Sequence, residues 1–77
     1  MIEIVPGVIS DPDVMGGQPI LKGHRIAVSQ LIGQLAGGMT TTEVQEDYQL
    51  TLEEMQTILA YAALAAKEKD IAYVHQS

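Results

Sequence analysis

The sequence predicts a mainly α fold, a three-helix unit carrying a helix-turn-helix behind a short N-terminal β element. Three observations carry this expectation. Apolar residues recur at helical spacing from Val28 onward. Two Thr-x-x-Glu boxes follow one another, at Thr40/Glu43 and Thr51/Glu54. The first 27 residues, by contrast, hold all three prolines and four of the seven glycines. The 77 residues are therefore read as a single domain, with an extended or hairpin region over 1–27, three helices over 28–70 and a tail over 71–77.

The β element comes first. Ile2 to Val5 and Val8 to Ser10 are β-branched runs broken by Pro6-Gly7 and stopped by Asp11-Pro12-Asp13, where Asp before Pro favours a turn. After a loop at Gly16-Gly17, Ile20 to Lys22 and His24 to Val28 read as two extended segments about Gly23, with Ile26 and Val28 on one side and Arg25 and Ala27 on the other. Lys22 in this hairpin is expected to guard an edge strand.

Helix one follows from Val28, Leu31, Ile32, Leu35 and Ala36, spaced i, i+3, i+4, i+7 and i+8, with Gly37-Gly38 as its left-handed stop. Helix two begins at the Thr40/Glu43 box, stapled by Met39 and Val44, and runs to about Asp47. Helix three repeats the arrangement with Thr51/Glu54, Leu50 and Met55, and a threonine N-cap is worth about 1 kcal/mol. Its apolar stripe is expected at Leu52, Met55, Leu59, Ala62 and Ala66, widened by Ile58 and Ala65, with fraying around Lys67 to Asp70. The short connection at Tyr48-Gln49-Leu50 is what makes helices two and three a helix-turn-helix.

Composition narrows the function classes. Hydrophobic residues make up 47% of the chain, too many for a disordered tail. No cysteine is present, so disulfides and thiolate zinc sites are out, and His24 and His75 alone make a poor metal site. No apolar run reaches the roughly 20 residues of a membrane span, and no basic leader precedes an apolar stretch, so a cytoplasmic chain is expected. Ten acids against four bases give a net charge of −6, which favours basic partners over phosphate backbones.

The candidate chemistry is sparse. Ser10, Asp11 and His24 supply the residue types of a hydrolytic triad, but no nucleophile elbow frames them, and neither an enzyme nor a cofactor site is expected. Arg25 is expected to pair with Asp11, Asp13 or Asp47, with a phosphate or base contact as the second reading. If helix three reads DNA, its early outward positions are Glu53, Glu54, Gln56 and Thr57. Gln56 suits adenine and Thr57 a methyl group or phosphate, whereas the two glutamates oppose phosphates and complement the helix dipole.

One resemblance is specific. Gly16 to Ile26 reads GGxPxxxGxRI, and Gly38-Met39 leads through an acidic helix to Tyr48, Leu50-Thr51-Leu52 and Leu59-Ala60-Tyr61-Ala62. Over about Ile9 to Ala65 the chain resembles the family catalogued as domain of unknown function 433, antitoxins of the VapB type. The resemblance implies a homeodomain-like helix-turn-helix with a small β element, encoded beside a PIN-like nuclease toxin. His24 stands where the family often has Thr, and Gln49 where many members have Pro and an extra residue. No catalytic or DNA-contacting residues come with the resemblance, so Gly17, Pro19, Gly23 and Arg25 are read as fold-making, with Arg25 and Lys22 also candidate contacts.

The expected function is an antitoxin-like component that binds a partner toxin and also regulates its own transcription through the helix-turn-helix. The alternative is a DNA-binding regulator without a toxin. With only four cations in the chain, DNA binding by the protein alone is expected to be weak. A homodimer is expected because the exposed segment Ile2 to Ile9 and the apolar cluster Ile71 to Val74 exceed what so small a chain buries.

Overall fold

The computed structural model describes the backbone of residues 1–76 and the side chains of residues 1–67. The apolar cluster at Ile71 to Val74 lies outside the described side chains. Strands β1 (Ile2–Val5) and β2 (Val8–Ser10) form a hairpin over Pro6-Gly7, and β3 (Ile20–Leu21) joins β2, giving an antiparallel sheet in the order β1-β2-β3. Val8 stands opposite Leu21, and both are buried. A bulge between Glu3 and Val5 shifts the β1 register, and Val5 packs against the core.

The loop from Asp11 to Pro19 is built by local hydrogen bonds. Asp13 N–H donates to Asp11 Oδ1 and Val14 N–H to the Asp11 carbonyl, each at 2.9 Å, the aspartate turn expected before Pro12. A 3₁₀ turn at Met15–Gly17 follows, and the Ser10 hydroxyl donates to the Gly17 carbonyl at 2.6 Å. The second arm expected after Gly23 shrinks to one bridge, Ala27 with Ile20. Ala27 and Val28 are both buried, so the alternation expected for Arg25 to Val28 fails. The reason is that Val28 is already the first helical residue, and the chain turns there instead of staying pleated.

Helix α1 (Val28–Ala36) has no side-chain N-cap. Its first N–H is satisfied by the Pro19 carbonyl at 2.9 Å, which gives this motif residue a structural task. At its other end Gly38 takes φ +109°, while Gly38 N–H reaches Leu35 O and Met39 N–H reaches Gln34 O, the paired bonds of a Schellman stop. Helix α2 (Thr41–Tyr48) carries the complete Thr40/Glu43 capping box, and Met39 and Val44 both pack in the core as the staple.

Helix α2 ends by the same device without a glycine. Gln49 stands at φ +55° and ψ +48°, Gln49 N–H reaches Glu46 O and Leu50 N–H reaches Gln45 O. The left-handed region costs a residue with a Cβ about 1–2 kcal/mol, partly offset by the extra unfolded-state freedom of glycine. Gln49 is exposed, so Gln49→Gly is expected to stabilise the chain by about 0.5–1 kcal/mol and raise the melting temperature a few degrees in a thermal scan. An unchanged or lowered value would mean that the Gln49 conformation carries no strain.

Helix α3 (Leu52–Gln76) starts from the Thr51/Glu54 box and packs on α1, α2 and β2. It does not fray at Lys67 to Asp70 but continues to Gln76, because no glycine or proline follows Gly38 to stop it. Its buried side is also rotated from the expected stripe. Met55 and Ile58 are buried, with Tyr61, Ala62 and Ala65 half-buried, while Leu52 is 63% and Leu59 44% exposed. The core is one aliphatic cluster of Val8, Leu21, Val28, Leu31, Val44, Leu50, Met55 and Ile58.

Candidate functional site

The first turns of α3 meet the β element, and this junction decides which side chains remain free. Glu54 serves two elements at once. Its Oε1 accepts the Thr51 N–H at 2.9 Å, closing the capping box, and its Oε2 lies 2.7 Å from His24 Nε2. With the carboxylate ionised, the imidazole donates, and the loop before α1 is tied to the cap of α3. Both side chains are half-buried. Thr57, one turn on, faces the β1–β2 turn: a Cβ on Gly7 would lie 2.9 Å from Thr57 Cγ2. Its hydroxyl donates back to the Glu53 carbonyl at 3.1 Å.

Electrostatics at the boxes follows from these bonds. The Thr51 backbone N–H, helped by His24, holds the Glu54 carboxyl below its ordinary value against the opposing effect of burial. The Thr40 backbone and side chain lower Glu43 in the same way. A carboxylate depressed in the folded state stabilises above its unfolded pKa, and that stability is lost as pH falls through the folded value. Acidification into and below the ordinary carboxylate range is therefore expected to lower the melting temperature. The double variant E43Q/E54Q, which keeps both boxes as neutral acceptors, is expected to flatten that limb in a pH series of thermal scans. A wild-type limb no steeper than that of the variant would remove the assignment.

The expected site residues are dispersed. Arg25 is exposed, and the expected pair with Asp11, Asp13 or Asp47 is absent: the ion pair formed among the described residues is His24 with Glu54. The Asp11 carboxylate is instead taken by the Asp13 N–H. Lys22 is exposed beside β3, its backbone N–H held by the Gly7 carbonyl at 2.8 Å. Gly17 and Gly23 both take positive φ in their turns. Of the four early positions on α3, Glu53 and Gln56 are exposed, whereas Glu54 and Thr57 are drawn under the β element. Ser10 and His24 are committed to Gly17 and Glu54 respectively, so the triad residue types do not combine.

Two side-chain hydrogen-bond connections among the described residues escaped sequence reading. His24 and Glu54 are 30 residues apart, with no local pattern to link them. Gln30 and Gln34, one turn apart on α1, both donate from Nε2 to the Tyr48 hydroxyl at the end of α2; the i, i+4 spacing of the two amides is the only trace in the sequence.

What remains open to partners is acidic. Glu43, Glu46 and Asp47 on α2 and Glu53 on α3 are exposed, against Lys22, Arg25 and Lys67 among the described cations. None of the helices is long and apolar enough, over the described residues, to cross a membrane.

The family model described as Protein of unknown function (DUF433) matches residues 8–62. The X-ray crystal structure of Rv2018 from Mycobacterium tuberculosis is similar at 33% sequence identity and a TM-score of 0.59, over 68% of this chain and 24% of that one. The matched region is thus about a quarter of that longer chain. No curated protein matches.

Proposed function

We propose, for a chain that belongs to the DUF433 family, that it is the antitoxin-like component of a toxin-antitoxin module and that it binds a PIN-like nuclease encoded beside it. The observation that carries this reading is the set of exposed carboxylates Glu43, Glu46 and Asp47 along α2 and Glu53 at the start of α3, on a chain of net charge −6. Such a surface steers a basic protein toward contact and repels a phosphate backbone. The three-residue connection Gln49 to Thr51 between α2 and α3 supports reading this pair as a homeodomain-like helix-turn-helix. That supports a second role in autoregulation, or the alternative of a transcriptional regulator with no toxin partner.

Magnitude ranks the two roles. Duplex binders neutralise roughly 6–10 phosphates. The chain offers four cations in total, and the exposed start of α3 presents Glu53 where phosphates approach. The test is a titration of the purified chain, alone and with the neighbouring gene's nuclease, against that nuclease's activity and against upstream duplex DNA across a salt series. The expected result is a salt-sensitive complex that silences the nuclease, with operator binding only when the basic partner joins. Undiminished nuclease activity at excess chain would end the antitoxin reading, and tight DNA binding by the chain alone would put the regulator in its place.

A further inference from the structure

We infer that the solvent face of α3 is a self-interface, on which a second copy of this chain docks its own α3 antiparallel. Leu52, Gln56, Leu59, Ala63 and Ala66 are all exposed, and their spacing alternates four and three residues. That is the seam of two helices in coiled-coil contact, kept on one side of the helix over about four turns. The two large apolar side chains most exposed on the described part of α3, Leu52 (63%) and Leu59 (44%), lie on this strip. The core does not use it, because the helix turns Ile58, Tyr61 and Ala65 toward the other elements, with Met55 and Ala62 at the border between the two sides.

Charge and size choose the occupant and its direction. The exposed charges on the described part of α3 are Glu53 and Lys67, each one position beyond a seam residue and at opposite ends of the strip. In an antiparallel pair each Glu53 meets the second copy's Lys67, whereas a parallel pair gathers both Glu53 at one end and both Lys67 at the other, with no opposite charge to meet. The same arrangement puts Leu59 against the second copy's Ala63 and Gln56 against its Ala66, large side chain into small, with Ala60 beside the twofold axis. On a chain of net charge −6 the strip is neutral, so it suits a copy of itself, while a basic partner is drawn to the carboxylates elsewhere. A seam occupied in this way also closes Gln56 to any DNA groove. The interface holds whether or not a toxin exists.

Sedimentation velocity and cysteine cross-linking test it. At micromolar concentration the wild type is expected to run at twice the monomer mass, and Leu59→Asp to halve that mass while its circular dichroism stays helical. The chain has no cysteine, so single substitutions report proximity cleanly. Under oxidation Ala60→Cys is expected to cross-link to itself, and Glu53→Cys only to Lys67→Cys in a mixture of the two. If Leu59→Asp unfolds, the cross-linking pattern alone decides. A wild type that stays monomeric, a Glu53→Cys chain that links to itself, or a dimer in which Ala60→Cys never cross-links overturns the proposal. A monomer that still captures the nuclease sinks the seam and leaves the antitoxin reading intact, and a cross-linked dimer with no nuclease binding does the reverse.

Discussion

Ile58→Ala is expected to cost about 2–5 kcal/mol and lower the melting temperature by roughly 10 °C or more. Ile58 is fully buried and belongs to the cluster in which β2, β3 and all three helices meet. A chain of this length has a total stability of only ~4–12 kcal/mol, so the loss takes a large share of it. Leu52→Ala on the same helix removes a side chain of similar size that is mostly exposed in the single chain, and, measured at a concentration low enough to keep both variants monomeric, is expected to cost under about 1 kcal/mol. Thermal or urea denaturation of the two variants decides which side of α3 holds the fold. A larger loss for Leu52 would restore the stripe centred on Leu52 and Leu59.

Gly7→Ala is expected to destabilise by about 2–4 kcal/mol, for two separable reasons. At φ +92° a residue with a Cβ pays the left-handed penalty, and the new Cβ would stand 2.9 Å from Thr57 Cγ2, a distance that forces the hairpin off α3 or the threonine aside. Thr57→Ala removes the opposing methyl. The double variant is therefore expected to recover the packing part of the loss, about 1 kcal/mol or more in a double-mutant cycle, and to keep the conformational part. Strictly additive losses would show that Gly7 answers only to its turn and that the hairpin does not press on α3 there.

Much of the architecture is legible in the sequence because its signals are local. The strands Ile2–Val5 and Val8–Ser10 are read from β-branched runs and their Pro6-Gly7 break, and they form as read. The two capping boxes set the starts of α2 and α3 to the residue, since a side chain three positions from its N-cap needs nothing distant to find it. The Gly37-Gly38 stop follows from backbone sterics alone. The candidate site is less legible. Gln56 and Glu53 are on the outside as expected, but Thr57 and Glu54 are not, and Arg25 lacks the acid partner assigned to it.

The sequence by itself determined the element order, the helix starts, the aliphatic character of the core and the acidity of the surface. Tertiary structure decided which side of α3 is buried. That helix is apolar around much of its circumference, so Leu52 and Leu59 compete with Met55 and Ile58 on nearly equal terms in any periodicity argument. The contest is settled by neighbours: Leu50, held by the stop of α2, together with Val44, Leu31 and Val8 forms a cluster that Met55 and Ile58 complete. Once that side is chosen, Thr57 comes under Gly7, Glu54 comes within reach of His24, and Leu52 and Leu59 are left facing water. Pairings across 30 and 50 residues such as these carry no signature along the chain, because they depend on the docking of elements rather than on the residues beside them.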